Sequence, residues 1–166
     1  MELLATIDLE DYEGLTNISE RTACRGIIIK DNKLLMVHSN KGEYKFPGGE
    51  VMHGELFKKA LIREVNEETG LIVTGGSIKP FGKIVERRKS SVEENSIFVH
   101  TSYYYLCDVL KSKSAQCLDL DEREKEFTLV SVSAEEALRL NRTAPYKHTL
   151  RETKVIELLL EKRMIK

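Results

Sequence analysis

A chain of 166 residues with 26 basic and 27 acidic side chains has a formal net charge of −1, which leaves no global field to draw in polymeric nucleic acid or an anionic membrane. Its length suits a single domain over residues 1–166 with a substantial core, and no apolar run approaches the ~20 residues that a bilayer requires. The opening MELLATIDLEDYEG has early acids and no cationic lead, unlike a secretory signal, and three cysteines (Cys24, Cys107, Cys117) without metal-type spacing suit reduced thiols, so a cytoplasmic location is expected.

Residues 1–20 read as an N-terminal edge segment, with 3–9 as an edge strand followed by an acidic connector. Residues 21–30, RTACRGIIIK, are rich in β-formers, Asp31-Asn32 offers a two-residue turn, and 33–38, KLLMVH, resumes the pattern, so a β-hairpin is expected. Arg25 lies within the first of these strands, where a phosphate or base contact and an edge salt bridge are both open. His38 ends the second strand and faces either the same cavity or solvent. A polar loop, 39–43, leads through 44–46 to Pro47-Gly48-Gly49. Proline sets the entry, and two glycines permit backbone angles and close approaches that a Cβ would forbid.

A helix is expected from Glu55 to Thr69, with Gly70 as its C-terminal stop. On it Glu64, Glu67 and Glu68 stand at i, i+3 and i+4, where side chains lie ~5–6 Å apart and like charges repel. With Glu64 at the origin of a helical wheel, Phe57 and Ala60 project at roughly +20° and −40°, and Glu67 and Glu68 at roughly −60° and +40°. Lys59 and Asn66 fall near roughly 200°, on the wet face. The acids therefore continue the apolar stripe. Buried carboxylates persist when paired or metal-bound, and a hard divalent cation with oxygen ligands is the natural group to offset the repulsion. The alternative is a solvated acidic face. His53, in the preceding loop, has neither cysteine nor second histidine at ligand spacing and reads as loop surface.

Beyond the helix, 71–73 reads as a short strand interrupted by Gly75-Gly76, and 78–88 and 97–109 as long antiparallel strands joined by a charged tip, 89–95. At that tip Arg87-Arg88-Lys89 meets solvent or a phosphate. In the second long strand Ile97, Val99, Tyr103, Tyr105, Cys107 and Val109 share a face, with Thr101 the polar exception. Phe98, His100, Ser102, Tyr104 and Leu106 face the other way, a mixture open to a nucleobase-sized pocket, a subunit interface or a half-exposed sheet surface. Residues 111–115 read as a loop, the charge run 119–126 (DLDEREKE) as solvated, and 127–132 as the last core strand. A capping box at Ser133–Glu136 opens a short helix through Leu140. After Pro145 a second box, Thr149–Glu152, opens a terminal amphipathic helix with Val155, Leu158, Leu159 and Met164, and both helices read as structural.

The run GEVMHGELFKKALIREVNEETGL, Gly49 to Leu71, resembles the Nudix box along its whole 23-residue pattern: Gly49, Glu55, Arg63-Glu64, Val65, Glu67-Glu68, Gly70 and Leu71. The resemblance implies an α/β fold, the Nudix-type α/β/α sandwich with a mixed β-sheet. It implies a Mg²⁺- or Mn²⁺-dependent hydrolase that cleaves the diphosphate linkage of a nucleoside diphosphate joined to another moiety. Glu64, Glu67 and Glu68 become metal ligands, with the Gly48 carbonyl as a further one. Glu64 and Glu67 are catalytic, Arg63 positions the glutamates and Glu55 supports the site from the helix start. The family also draws a glutamate from the region before the last core strand, for which Glu122, Glu124 and Glu126 are candidates, and the general base is open among Glu64, Glu67 and that residue. Arg25, His38, Tyr104 and Glu124 are candidate substrate contacts.

The resemblance orders the substrates too. Where ADP-ribose-specific relatives tend to carry a proline after the box this chain has Glu86 and Arg87, and where diadenosine-polyphosphate relatives tend to carry a tyrosine it has Arg88 and Lys89. A (d)NTP pyrophosphohydrolase is therefore placed ahead of an ADP-ribose or nucleotide-sugar pyrophosphatase. Two other classes stay open: a nucleotide sensor without turnover, and an isoprenoid diphosphate isomerase with Cys24 or Cys107 as nucleophile. Homodimers are common in the family.

Overall fold

The computed structural model describes residues 1–144 and 149–166, so Pro145 lies outside the described residues. In chain order its elements are β1 (Leu3–Asp8), β2 (Asn17–Ile27), β3 (Ile29–Lys30), β4 (Lys33–His38), β5 (Tyr44–Lys45), α1 (Phe57–Thr69), β6 (Leu71–Val73), β7 (Lys79–Lys89), β8 (Ser96–Leu106), β9 (Val109–Lys113), α2 (Leu120–Glu124), β10 (Thr128–Val132), α3 (Ala134–Thr143) and α4 (Thr149–Glu161). Among the described residues no helix is long and apolar enough to cross a membrane.

The β3–β4 hairpin forms where its turn chemistry places it. Asp31 and Asn32 have φ of 52° and 58°, a left-handed pair whose twist matches that of the flanking strands. Pairing of Ile29 with Leu34 and Lys30 with Lys33 follows directly. A single residue, Ile28, separates β2 from β3, so one stretch of chain feeds two sheets. The first has the order β1-β7-β8-β2, parallel at both outer pairs and antiparallel between β7 and β8. The second has the order β10-β4-β3, with β5 also pairing β4.

Both faces of this mixed sheet are covered, which is why its strands carry apolar residues at consecutive positions. Ile27, Ile84 and Tyr104 pack with Val155, Ile156 and Leu159 of α4. The neighbouring Ile28, Tyr105 and Cys107 turn the other way, onto Ala60, Leu61 and Val65 of α1. The result is an α/β/α sandwich.

Several expectations need correction. Residues 111–113 are not loop: Val109–Lys113 is a strand that pairs antiparallel with β6, leaving 114–115 irregular, while β8 ends at Leu106. Helix α1 begins at Phe57, two residues late, because Glu55 stays outside it, accepting from Met52 N–H and holding Arg63. Phe57 is exposed instead of joining the buried stripe, and its ring leans on Tyr103 at 4.6 Å. Gly70 does stop α1, in the left-handed conformation at φ 72°. The charge run holds a short helix, α2, opened by a capping box between Asp119 and Glu122. Helix α3 runs past Leu140 to Thr143. Met164 lies beyond the end of α4 and is exposed. Glu152 accepts the Phe46 N–H at 3.1 Å, just beyond β5.

Candidate active site

Arg63 organises the acidic wall of α1. Its Nε and one terminal nitrogen grip both oxygens of Glu55 at 2.9 Å, the other terminal nitrogen donates to Glu64 at 2.6 Å and Glu67 at 3.1 Å, and the fork also reaches the Glu50 carbonyl at 3.1 Å. A guanidinium has five N–H donors in fixed directions, and here each has a carboxylate or carbonyl to meet. The Arg63 bonds hold the Glu55 carboxyl below its usual range. Glu64 is pushed the opposite way, since burial outweighs the Arg63 contact.

Glu68 lies deeper, 3 % exposed, and accepts the Gly48 N–H at 2.7 Å. Burial raises its carboxyl to about 7 despite the nearby cations Arg25 and Lys45. The Pro47–Gly49 turn reaches Glu68 because β2 grips it throughout. Cys24 N–H donates to the Gly49 carbonyl at 2.9 Å, Gly26 N–H donates to the Pro47 carbonyl at 2.8 Å, and Arg25 donates to the Gly48 carbonyl. Gly48 has φ 133°, and a Cβ there would sit 2.1 Å from the Cys24 carbonyl oxygen. A Cβ on Gly49 would sit 2.1 Å from Glu64 Oε2.

These groups open onto one cavity of about 830 Å³. Its acidic end has Gly48, Gly49, Glu64 and Glu68 on one wall and Asp119, Asp121 and Glu122 on another. Lys45 lines it as well, its ammonium 3.9 Å above the Phe127 ring, and burial lowers its pKa to about 8. The far end is the β7–β8 wall, with Glu86, Arg88, Phe98 and His100, together with Arg151 from α4.

The predicted site residues divide accordingly. Glu64, Glu68, Gly48 and Arg25 line the cavity, and Arg63 and Glu55 brace Glu64 from behind. Arg25 makes no edge salt bridge among the described residues; it is buried and donates to the Gly48 and Phe46 carbonyls. Glu67 is turned to Arg63 and does not line the cavity. Of the three glutamates left open, Glu122 lines it, whereas Glu124 and Glu126 are exposed elsewhere. Tyr104 is corrected: it is 0 % exposed, packed edge-on against Phe46 at 5.9 Å, where no substrate can reach it. His38 is corrected too, lying against Tyr44 at 4.8 Å and off the cavity lining. His53 is exposed loop, as expected.

Lys45, Glu86 and Arg151 escaped the sequence reading because strand register and helix docking bring them in. The phase of β7 does put Glu86 and Arg88 on one face, a signal that needs the pairing with β8 before it points anywhere.

The donors at the acidic end are carboxylate and carbonyl oxygens, which suit a hard divalent ion better than a thiophilic one. The charged forms of Glu64 and Glu68 are costly to bury, so a cation between them would be stabilising. As the side chains stand, no three His, Cys, Asp or Glu groups among the described residues are gathered as a ready metal cluster. Glu64 and Glu68 fit as ligands in chemistry, and Glu67, like Glu64, bonds Arg63 through one carboxylate oxygen and keeps the other.

Comparison with known proteins adds a family. The chain matches the NUDIX domain model over residues 20–153. It is 48 % identical over 69 residues to a protein of Methanocaldococcus jannaschii named ADP-ribose pyrophosphatase, a match covering 39 % of this chain and 40 % of that relative's length. Its fold is similar to that of a NUDIX hydrolase from Nitrosomonas europaea, with TM-score 0.59, 17 % identity, and 80 % of this chain and 85 % of the other covered. A MutT NUDIX hydrolase from Burkholderia pseudomallei superposes with TM-score 0.57 at 17 % identity, covering 82 % and 96 % of the two chains.

Proposed function

We propose, from the premise that this chain belongs to the NUDIX family, that it is a divalent-metal-dependent pyrophosphohydrolase acting on a nucleoside diphosphate joined to a second moiety, with ADP-ribose as the leading substrate. The observation that carries this is the cavity of about 830 Å³, whose acidic end holds Glu64 and Glu68 and whose far end offers room and polar groups for more than a diphosphate. The relative named ADP-ribose pyrophosphatase supports moving that substrate ahead of a (d)NTP, which stays as the second reading.

In this scheme water attacks one phosphorus, the bridging P–O bond breaks, and two phosphate esters leave. A bound Mg²⁺ or Mn²⁺ supplies charge neutralisation at the phosphoryl oxygens and lowers the pKa of coordinated water. Glu64 and Glu68 would hold it, with the Gly48 carbonyl able to contribute its second lone pair. Arg63 keeps Glu64 aimed into the cavity. Arg25 fixes the Pro47–Gly49 turn beside Glu68, and Lys45 adds positive charge next to the diphosphate. The proton from the attacking water passes to a carboxylate of this wall.

The test is a panel of ADP-ribose, nucleotide sugars and (d)NTPs, assayed for phosphate-ester products with Mg²⁺, with Mn²⁺ and after chelation. Glu68→Gln keeps an acceptor for the Gly48 N–H but loses the charge, so release should drop at least ~100-fold with the thermal transition retained. Full turnover by Glu68→Gln, or by chelated protein, refutes the scheme. Nucleotide binding without release on any substrate favours the sensor class.

A further inference from the structure

The far wall of the cavity contains polar groups that the hydrolytic scheme leaves unused. Glu86 and Arg88 of β7 stand in register with His100 and Phe98 of β8, as the pairs Glu86–His100 and Arg88–Phe98. Arg88 is held from three directions. Its Nε donates to Glu86 Oε1 at 2.8 Å, a terminal nitrogen donates to the Lys89 carbonyl at 3.1 Å, and the guanidinium lies 4.5 Å from the Phe98 ring centroid. Phe98 in turn lies 5.6 Å from the His100 ring. Three flat groups thus run in a row along the wall. Such a row costs little to bind against, because its members are already fixed.

Beside them sits a buried ion pair. Glu86 Oε2 and Arg151 Nε face each other at 3.3 Å as an ion pair, yet neither makes a well-directed hydrogen bond. Glu86 is 1 % exposed and Arg151 5 %, and both line the cavity. The pair anchors Glu86, and through its other oxygen Glu86 fixes the Arg88 guanidinium as a flat face on the cavity wall. The ligand complementary to that face is planar.

We propose that this wall is a nucleobase subsite: the base lies against the Arg88–Phe98 stack, which Glu86 and Arg151 hold in place. The assignment rests on the pyrophosphohydrolase reading, because it assumes that the diphosphate occupies the acidic end of the same cavity. Arg88 and Phe98 are therefore specificity-determining residues, and the second moiety extends the other way, past Glu122 and Lys125.

The experiment compares wild type with Arg88→Gln and Phe98→Leu, both at partly exposed hairpin positions, on ADP-ribose and on P¹,P²-dimethyl diphosphate, which has the linkage without a base. Binding of AMP and of ribose 5-phosphate is measured by calorimetry in the absence of metal. Each variant should raise KM for ADP-ribose about tenfold, as loss of one base-stacking contact does. Its kcat/KM should fall at least tenfold more for ADP-ribose than for dimethyl diphosphate, and AMP affinity should fall more than ribose 5-phosphate affinity. Equal losses on the two diphosphates, or equal losses of AMP and ribose 5-phosphate, overturn the base subsite. If wild type hydrolyses neither diphosphate while Phe98→Leu still loses AMP, the subsite stands and the hydrolase reading falls.

Discussion

Gly48 and Gly49 are adjacent, yet a methyl group added to each would damage different things. In Gly48→Ala the new Cβ meets backbone: the Cys24 carbonyl oxygen at 2.1 Å and Arg25 Cα at 3.0 Å, at a φ of 133°. The left-handed conformation alone costs about 1–3 kcal/mol for a non-glycine residue. Moving the turn off β2 also stretches the Cys24–Gly49 and Gly26–Pro47 hydrogen bonds, 2.9 and 2.8 Å long. At about 1 kcal/mol net for each bond, the loss is about 3–5 kcal/mol. For a chain of this size that lowers Tm by about 10–15 °C.

In Gly49→Ala the methyl meets the end of a flexible side chain, Glu64 Oε2 at 2.1 Å and its carboxyl carbon at 2.5 Å. The carboxylate swings aside and loses its 2.6 Å contact to Arg63, a partly exposed pair worth about 1 kcal/mol or less. Tm should fall by no more than about 3 °C. Displacing a reacting group by about 1 Å costs on the order of 100-fold in rate, so kcat should drop by about that factor. Melting by circular dichroism and ADP-ribose hydrolysis, run well below both transitions with saturating Mg²⁺, separate the two. Wild-type turnover in Gly49→Ala would refute the placement of Glu64 in the chemistry. An unchanged Tm in Gly48→Ala would refute the clamp of β2 on the turn.

Arg63→Lys keeps the charge but not the fork, so it cannot hold Glu55, Glu64 and Glu67 together; kcat should fall at least ~10-fold, with about 1–2 kcal/mol lost in urea unfolding. His100 supplies the pH dependence. Burial, then the adjacent Arg151, keeps its imidazole far below the usual 6.5, and Arg151 donates to its Nδ1. Below pH 6.5 the unfolded chain takes up a proton that the folded chain refuses, so stability present above that pH is lost as pH falls, by about 2 kcal/mol at pH 5. Urea midpoints of His100→Gln measured from pH 7 to 5 should decline less than those of wild type; parallel declines would show that His100 is not a buried neutral group.

Residues close together in sequence carried most of what was legible. The left-handed Asp31-Asn32 turn, the stop at Gly70 and the Arg63–Glu68 spacing depend on backbone angles and helical phase, which a few neighbouring side chains settle. The Gly49–Leu71 pattern then identified the family and with it the sandwich. Strand register and helix docking decided the rest, because they bring together residues that no spacing connects. Pairing of β7 with β8 sets Arg88 over Phe98, and the seating of α4 delivers Arg151 to Glu86 and Glu152 to Phe46. The same packing closes over Tyr104, although its alternation matched that of His100. Alternation assigns a side chain to a face of a strand. Whether that face is covered by a helix or opens into the cavity depends on where α4 lies, and that is set by the burial of Val155, Ile156 and Leu159 against the sheet.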